Sequence, residues 1–313
     1  MREPAGALRP RPWAAPTSSR YCRPAGPRPV FAEFAEFGFL RRALIGCLAL
    51  SLSAPPLGVF LMLRRMSLTG DALSHGILPG VALGFVLGGL WAPGLALGGL
   101  VAGLVIALGA GAIARGTGGR EDAALAGLYL TALAAGVALI SWRGSAAELT
   151  QLLFGSVLGV DDAALLMMAG AASATLLFLA VAWRPLVLEC FDPGFARAVG
   201  VRGSVWHLGL LAMVVVNLVG AFQAVGSLMA VGLMMLPAVA ARHWARTVGG
   251  MALAASAIAL AASGLGLLVS FHADVPSGPA IVLAAALGWA VSLVLGPVDG
   301  LLARLRPARH LSG

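Results

Sequence analysis

The sequence contains no lysine, since all 21 of its basic residues are arginine. A Walker-type ATP site requires a lysine next to Ser or Thr at the end of a glycine-rich loop, so this chain cannot form one. The chain also lacks the Gly-x-Ser-x-Gly, Cys-x-x-Cys and His-Glu-x-x-His patterns of hydrolases, redox proteins and zinc peptidases. We therefore predict that the chain is not an enzyme.

Charge and cysteine are also scarce. Only 11% of the residues are charged and 59% are hydrophobic, which gives a mean hydropathy of +0.93. A soluble domain of this length does not need so much apolar surface, so most of the chain is predicted to lie in lipid. Cys22, Cys47 and Cys190 show neither metal-site spacing nor a disulfide framework. The net charge of +8 does not indicate nucleic-acid binding, because the arginines gather in the N-terminal tail and at the ends of apolar runs.

Long apolar segments occupy most of the chain, and backbone groups in lipid must be satisfied within each segment. We predict an all-α, polytopic transmembrane helical bundle with about nine spans (8–10). The predicted spans are 39–63, 72–90, 93–114, 123–141, 163–183, 204–222, 226–242, 248–270 and 279–303. Residues 147–161 are too short and too polar for a span and are interpreted as an interfacial or re-entrant piece.

The two ends of the chain differ from this apolar domain, which runs over residues 31–305. Residues 1–30 are rich in Pro and Arg, which predicts a disordered tail, and we hypothesise that translation truly begins near Val30. Residues 306–313 are predicted to be a short cytoplasmic tail. Arginine is concentrated in one set of alternate loops, which predicts that this set and the C-terminus are cytoplasmic.

Asp71 and His75 open the second apolar segment. They are four residues apart, so on a helix they lie on one face and can bind one divalent cation. Histidine favours zinc-like metals and carboxylate favours manganese-like ones. The alternative is structural, with Asp71 capping the helix and His75 bonding a neighbouring carbonyl. Two residues also cannot complete a metal shell, so further ligands must come from the chain, a second copy or water.

Two other stretches carry polar groups. In the first, Asp192, Pro193 and Gly200 are typical of an N-cap, a first helical residue and a C-terminal stop, which predicts a short helix at 192–200 on the Arg-rich side. In the second, His272 and Asp274 lie in a Pro/Gly-rich turn on the outer side. The favoured interpretation is that these residues simply form a turn, because Asp, Pro, Ser and Gly are typical turn residues. The alternative is an outer site where the metal first binds.

Polar and small residues within the spans have simpler interpretations. Asn217 and Gln223 are predicted to form interhelical hydrogen bonds. His207, next to Trp206, is predicted to be interfacial. Glycines recur every fourth residue, which allows close helix packing, either inside one subunit or between subunits; they are Gly76, Gly80, Gly84 and Gly88, with Gly94/Gly98 and Gly99/Gly103.

Three stretches together resemble the zinc/manganese ABC transporter permease family. They are residues 56–75 with Gly-Asp-Ala-Leu-Ser-His at 70–75, residues 191–201 with Phe-Asp-Pro and Ala-Arg-Ala-Val-Gly-Val, and residues 225–242 followed by Asp-Val-Pro-Ser-Gly-Pro at 274–279. The resemblance covers about residues 35–298. The 70–75 block is specific by itself, and the others are specific in combination and order.

The resemblance implies a multi-pass permease of the bacterial inner membrane that forms a homodimer. It implies two partners, a cytoplasmic ABC ATPase that hydrolyses ATP and an extracytoplasmic metal-binding protein. Zn²⁺ or Mn²⁺ would be the transported substrate, with no tightly bound cofactor. By the same resemblance Asp71 and His75 are the translocation-site ligands. The ATPase-coupling helix is then 192–200, with Asp192, Pro193, Ala196, Arg197 and Gly200.

Three alternatives stay open at this point. One is a permease for a metal chelate of the iron-siderophore or cobalamin type, which needs no Asp/His pair at this position. Another is a secondary metal carrier that works without an ATPase and needs no coupling helix. The third is a membrane scaffold that transports nothing, for which Asp71→Ala should behave as wild type.

Overall fold

A computed structural model of the protein describes residues 38–89, 91–143 and 160–305, and every regular element within these ranges is an α-helix. In chain order the helices are α1 (Gly38–Leu63), α2 (Thr69–Gly76), α3 (Leu78–Gly88), α4 (Ala92–Thr117), α5 (Glu121–Arg143), α6 (Asp162–Phe191), α7 (Pro193–Ala198), α8 (Gly203–Val225), α9 (Ser227–Ala241), α10 (Val248–Ala273), α11 (Ser277–Leu295) and α12 (Leu301–Leu305). The predicted tails, and nearly all of the 147–161 segment, lie outside the described residues.

Eight stretches of the described chain are long and apolar enough to cross a membrane. One of them, Thr69–Gly88, consists of α2 and α3 in succession. The remaining predicted segment forms α9, which has 15 residues and is shorter than the usual span of about 20. The prediction of an all-α transmembrane bundle with about nine spans is confirmed.

Helix α1 lies at the centre of the bundle, and α6, α9 and α10 pack around it. Its most apolar 18-residue window is 72% buried, whereas the corresponding window of α5 is only 11% buried. Lipid tails are as apolar as the side chains, so the hydrophobic effect does not drive helices together in a membrane. Such burial is instead favoured by van der Waals packing between the helices. Helix α5 is therefore peripheral, and most of its surface is left for lipid or for another protein.

A buried hydrogen-bond network joins α1, α6 and α8. Asn217 of α8 accepts a hydrogen bond from the Ser53 hydroxyl at 2.8 Å and donates one to Thr175. The Thr175 hydroxyl in turn donates to the carbonyl of Ala171 at 2.8 Å. The prediction that Asn217 bonds between helices is confirmed. The side chain of Gln223 lies outside the described part of the chain.

The glycine repeat brings α3 and α4 together within one subunit. Gly80 lies directly against Gly98. A Cβ atom added at Gly84 would lie 2.6 Å from the carbonyl oxygen of Gly94, so no larger residue fits there without a shift. This favours packing inside the subunit over the subunit-interface interpretation of the repeat.

The break between α2 and α3 determines where Asp71 and His75 lie. Pro79 stands in the first turn of α3, and because it has no N–H it cannot continue the hydrogen-bond ladder of α2. The span begins at Thr69, three residues earlier than the predicted 72–90 segment. Asp71 therefore lies inside the first turn of the span rather than in front of it.

The short helix predicted at 192–200 is present as α7, between α6 and α8. The Asp192 carboxylate accepts a hydrogen bond from the backbone N–H of Phe195 at 2.9 Å, and Pro193 is the first helical residue. The helix ends at Ala198, and Gly200 takes a positive φ of 81° that turns the chain toward α8. The predicted capping is confirmed, although the helix is six residues long rather than nine.

Candidate functional site

Asp71 and His75 lie one turn apart on α2 and face each other. The distance from Asp71 Oδ1 to His75 Nε2 is 3.7 Å, which is too long for a hydrogen bond. Two ligand atoms that are each about 2.1 Å from a tetrahedral ion are themselves about 3.4 Å apart. The pair therefore has a spacing close to that of two ligands on one metal ion.

The structure contradicts the alternative in which Asp71 caps the helix and His75 bonds a neighbouring carbonyl. Leu68 is the N-cap of α2, and no side chain caps this end of the helix. Asp71 lies in the first turn, where a negative charge is favourable near the helix N-terminus. Its side chain nevertheless accepts no capping hydrogen bond. His75 Nδ1 is buried and has no hydrogen-bond partner among the described residues. The capping prediction is therefore wrong, and so is the predicted bond from His75 to a carbonyl.

A cavity of about 290 Å³ extends from Asp71 toward the beginning of α5. Asp122 lines it as a second carboxylate, and an ion pair of 3.6 Å joins Asp122 to Arg120. Thr69 lines it too, and its buried hydroxyl lacks a partner among the described residues. The cavity thus offers oxygen atoms of the kind that hard divalent cations prefer, and it is also lined by the cationic side chain of Arg65.

The sequence did not single out Asp122 or Thr69. Acidic residues at the first turn of a helix are common because they suit the helix dipole, so Asp122 carried no separate signal. A threonine in an apolar span normally bonds its own backbone and is equally inconspicuous.

The side of the bundle that carries Asp71 is open. The Asp71 side chain is 60% exposed and that of His75 is 33% exposed. A carboxylate directed into lipid is costly, so an exposed one on a membrane helix is expected to face a partner or a water-filled path. Within the described residues no group of three or more His, Cys, Asp or Glu side chains could hold a metal ion, so the pair needs additional ligands.

Helix α7 presents an apolar outer surface at the Arg-rich end of the bundle. Ala196 is fully buried and anchors the helix. Phe195 and Val199 are each 54% exposed, and Phe191, just before the helix, is 67% exposed. Arg197 is exposed beside them. Aromatic side chains that are exposed together with an arginine are typical of the core of a protein–protein interface.

The predicted outer pair, His272 and Asp274, lies at the opposite end of the bundle. The sequence placed both in a turn, but α10 continues to Ala273, so His272 belongs to its last helical turn. His272 Nδ1 lies 3.0 Å from the carbonyl oxygen of Leu268. Asp274 takes a positive φ of 52° and ends the helix. The turn interpretation holds only for Asp274, and both residues are exposed.

A second polar cluster at the Arg-rich end was missed from the sequence. His207 Nδ1 lies 2.6 Å from Arg64 Nη1, and His207 Nε2 lies 2.9 Å from both carboxylate oxygens of Glu121. Glu189 and Cys190 share with these residues a cavity of about 530 Å³. His207 was predicted to be interfacial because it is next to Trp206. Arg64, Glu121 and His207 are too far apart in the chain for any spacing rule to connect them.

Comparison with known proteins adds an independent line of evidence. A family model described as the ABC 3 transport family matches residues 36–296. The chain is 36% identical over 262 residues to the manganese import system permease protein ScaB of Streptococcus parasanguinis. This match covers 84% of the present chain and 92% of the relative. It is 32% identical over 265 residues to the chelated iron transport system membrane protein YfeD of Yersinia pestis, which covers 85% of this chain and 88% of that protein.

The solved structures agree with this relationship. The structure of PsaBC from Streptococcus pneumoniae in complex with Fab superimposes with a TM-score of 0.78 at 32% identity, and the match covers 88% of this chain and 99% of that one. The family match, the full-length relatives and the apolar helical bundle all agree. The chain therefore belongs to the ABC 3 transport family, as a multi-pass permease subunit of an ATP-binding-cassette importer in the bacterial inner membrane.

Proposed function

We propose that this permease moves a divalent metal ion, manganese first of all, and that Asp71 and His75 are its transient ligands. The observation that carries the proposal is the carboxylate–imidazole pair at 3.7 Å on a membrane-spanning segment. The Asp71 side chain is exposed and does not cap the helix. Because ions must leave the site as well as reach it, weak binding by few protein ligands is an advantage in transport.

A second copy of the chain completes the metal shell. Each copy supplies one carboxylate and one imidazole, so a symmetric pair of subunits provides four ligands on the two-fold axis. The 60% exposure of Asp71 supports this arrangement, since the side chain is free to face the partner copy. It also explains how an ionisable group can lie on the outside of an apolar bundle.

Manganese is preferred over zinc for two reasons. The relatives ScaB and MntC carry manganese in their names. In addition, Asp71, Asp122 and Thr69 place oxygen atoms along one cavity, and oxygen ligands favour manganese whereas sulfur and nitrogen ligands favour zinc. Zinc remains the competing substrate because His75 is a good zinc ligand.

Transport of a metal chelate is the second candidate, and the similarity to YfeD is the observation that favours it. A chelate already carries the ligands of its metal, so it would not require the Asp71–His75 pair. Its transport would then be insensitive to substitution of these two residues, which separates it from transport of the bare ion.

Two surfaces of the chain support the proposed partners. Helix α7 docks into a cytoplasmic ATPase through Phe195 and the residues next to it, and ATP hydrolysis takes place in that partner. An extracytoplasmic binding protein delivers the metal at the opposite end, where the exposed His272 and Asp274 are the proposed first contacts. Movement of α7 driven by ATP then opens the Asp71 site alternately to the two sides of the membrane.

Uptake by the reconstituted importer tests this proposal. Membrane vesicles containing the permease, its ATPase and its binding protein are supplied with ATP and with labelled manganese, zinc or an iron chelate. We expect manganese uptake that is lost in Asp71→Ala and His75→Ala while the complex still assembles. Asp162→Ala is the matched control, since Asp162 is an exposed aspartate at the start of α6, paired with Arg42 at 3.0 Å. Uptake of the chelate alone, or full manganese uptake in the two variants, would overturn the proposed site.

A further inference from the structure

The cluster of Arg64, His207 and Glu121 forms a continuous chain of hydrogen bonds. A guanidinium group can only donate, so His207 Nδ1 must accept the bond from Arg64 at 2.6 Å. The proton of the neutral ring is then on Nε2 and is donated to Glu121, whose two oxygens are both 2.9 Å away. The His207 side chain is only 12% exposed, so these bonds are largely shielded from water.

This chain of bonds joins the end of α1 to the first turns of α5 and α8. Arg64 follows the end of α1, in the short connection that leads to α2 and Asp71. His207 lies in the first turns of α8, which follows α7 directly. Glu121 opens α5, where its neighbour Asp122 lines the cavity next to Asp71.

The cavity beside the network holds unsatisfied groups of opposite charge. Arg64 Nε and Nη2 are buried without a hydrogen-bond partner among the described residues, and Glu189 Oε2 is in the same condition. Both residues line the same cavity of about 530 Å³. Glu189 lies near the end of α6, just before α7, and its carboxylate fills the space where a Cβ at Gly203 would be. Glu189 thus places a buried, unbonded carboxylate oxygen in the cavity that Arg64 lines, on the segment that leads into α7.

We propose that the Arg64–His207–Glu121 network is the linkage through which movement of α7 reaches the Asp71 segment, with Glu189 as the alternative acceptor for Arg64. The proposal rests on the proposed docking of α7 to an ATPase. When α7 moves, the flanking ends of α6 and α8 move with it, because α7 is joined to both by one to four residues. Such a movement changes the position of both acceptors of Arg64 and so displaces the connection to α2. Networks with two discrete arrangements are the elements that transmit such couplings.

A pair of substitutions at His207 separates linkage from folding. His207→Gln places an amide oxygen and an N–H where they can still bridge Arg64 and Glu121. His207→Asn retains a polar group near Arg64 but is too short to reach Glu121. Both are measured in the full reconstituted complex for manganese uptake, for ATP hydrolysis and for manganese binding without ATP.

In His207→Asn we expect the number of manganese ions moved per ATP to fall by about tenfold, with hydrolysis and manganese binding close to wild type. His207→Gln should recover most of this ratio. Glu189→Gln should also lower the ratio, because it removes the charge of the alternative acceptor. His243→Asn is the control, since it makes the same change at another histidine near the Arg-rich end that contacts neither Arg64 nor Glu121.

Three results would overturn the linkage. One is a wild-type ratio in His207→Asn. Another is a parallel loss of binding, hydrolysis and assembly, which would make the network purely structural. A wild-type ratio in Glu189→Gln would remove the alternative acceptor. Absence of manganese uptake by the wild-type complex would instead refute the proposed function, so the two failures are distinguishable.

Discussion

Asn217 and Asp71 are both polar residues set into apolar helices, and their surroundings are opposite. Asn217 of α8 is 3% exposed, and its amide bonds Ser53, Thr175 and the carbonyl of Met213. Asp71 of α2 is 60% exposed, and its carboxylate lies 3.7 Å from the imidazole of His75, beyond hydrogen-bond distance. The first group is satisfied within the subunit, whereas the second leaves its bonding capacity unused.

This contrast separates the structural polar residues of the bundle from the functional ones. A buried group whose bonds are all made holds helices together and has nothing left for a ligand. An ionisable group that is unsatisfied in a membrane segment is costly to keep unless it serves a substrate or a partner. The two sites should therefore respond to substitution in opposite ways, one in stability and the other in transport.

Asp71→Asn is expected to have the largest effect. Loss of residues that merely support a metal ligand already costs 10–100-fold, so loss of the ligand charge should lower manganese uptake by about a hundredfold. The free energy of unfolding should change by less than about 0.5 kcal/mol, because the side chain is exposed. Transport assays and thermal unfolding in detergent measure the two quantities. Strong destabilisation with normal transport per folded molecule would make Asp71 a structural residue like Asn217.

Gly80→Ala should have the next largest effect. The added methyl group meets the backbone at Gly98, and forcing extra volume into a tight contact costs about 1–3 kcal/mol. The α3–α4 crossing, which follows α2 directly in the same span, would then loosen. Gly88→Ala, on the same helix but with its nearest contact at 3.9 Å, is the control. Equal stability of the two variants would contradict a close backbone contact at Gly80.

Asn217→Leu is expected to lower the free energy of unfolding by about 1 kcal/mol, as interhelical hydrogen bonds in membranes are worth no more than that on average. Manganese uptake per folded molecule should stay at the wild-type level, because Asn217 is satisfied within the subunit. Thermal unfolding and uptake are measured on the same preparation. A loss of uptake in stable protein would place Asn217 on the transport path.

Two threonines provide the smallest and most direct contrast. Thr69→Val removes a buried hydroxyl that has no partner among the described residues, so stability should be unchanged or rise by up to about 1 kcal/mol. Thr175→Val removes the acceptor of the Asn217 amide and should lower stability by about 1 kcal/mol. The same chemical change is thus expected to have opposite signs at the two positions. Changes of the same sign would contradict the contrast.

Much of the fold could be predicted because lipid leaves the backbone few choices. Apolar runs such as 248–270 must become helices, and the structure extends this one only to Ala273. Asp192 and Pro193 were recognised as a helix start because capping depends on neighbouring residues alone. The predicted helix end at 270 was three residues early, because the last turn continues through the exposed His272 to Ala273.

The candidate site divides in the same way. The spacing of Asp71 and His75 in the sequence indicated a shared helix face, and their role as metal ligands stays a prediction until transport is measured. Asp122 joined the cavity only through the packing of α5 beside α2. The role of 192–200 in coupling likewise stays a prediction, although the exposed Phe195 supports it.

The sequence by itself determined that this protein is a helical membrane protein, because hydrophobicity and arginine placement act locally along the chain. Its three motifs added the resemblance to a permease family. Only the tertiary structure decided which polar residues meet. Arg64, Glu121 and His207 are separated by 57 and 86 residues of sequence, and no periodicity connects positions so far apart. Their 2.6–2.9 Å contacts exist because the end of α1 and the beginnings of α5 and α8 meet at one side of the bundle.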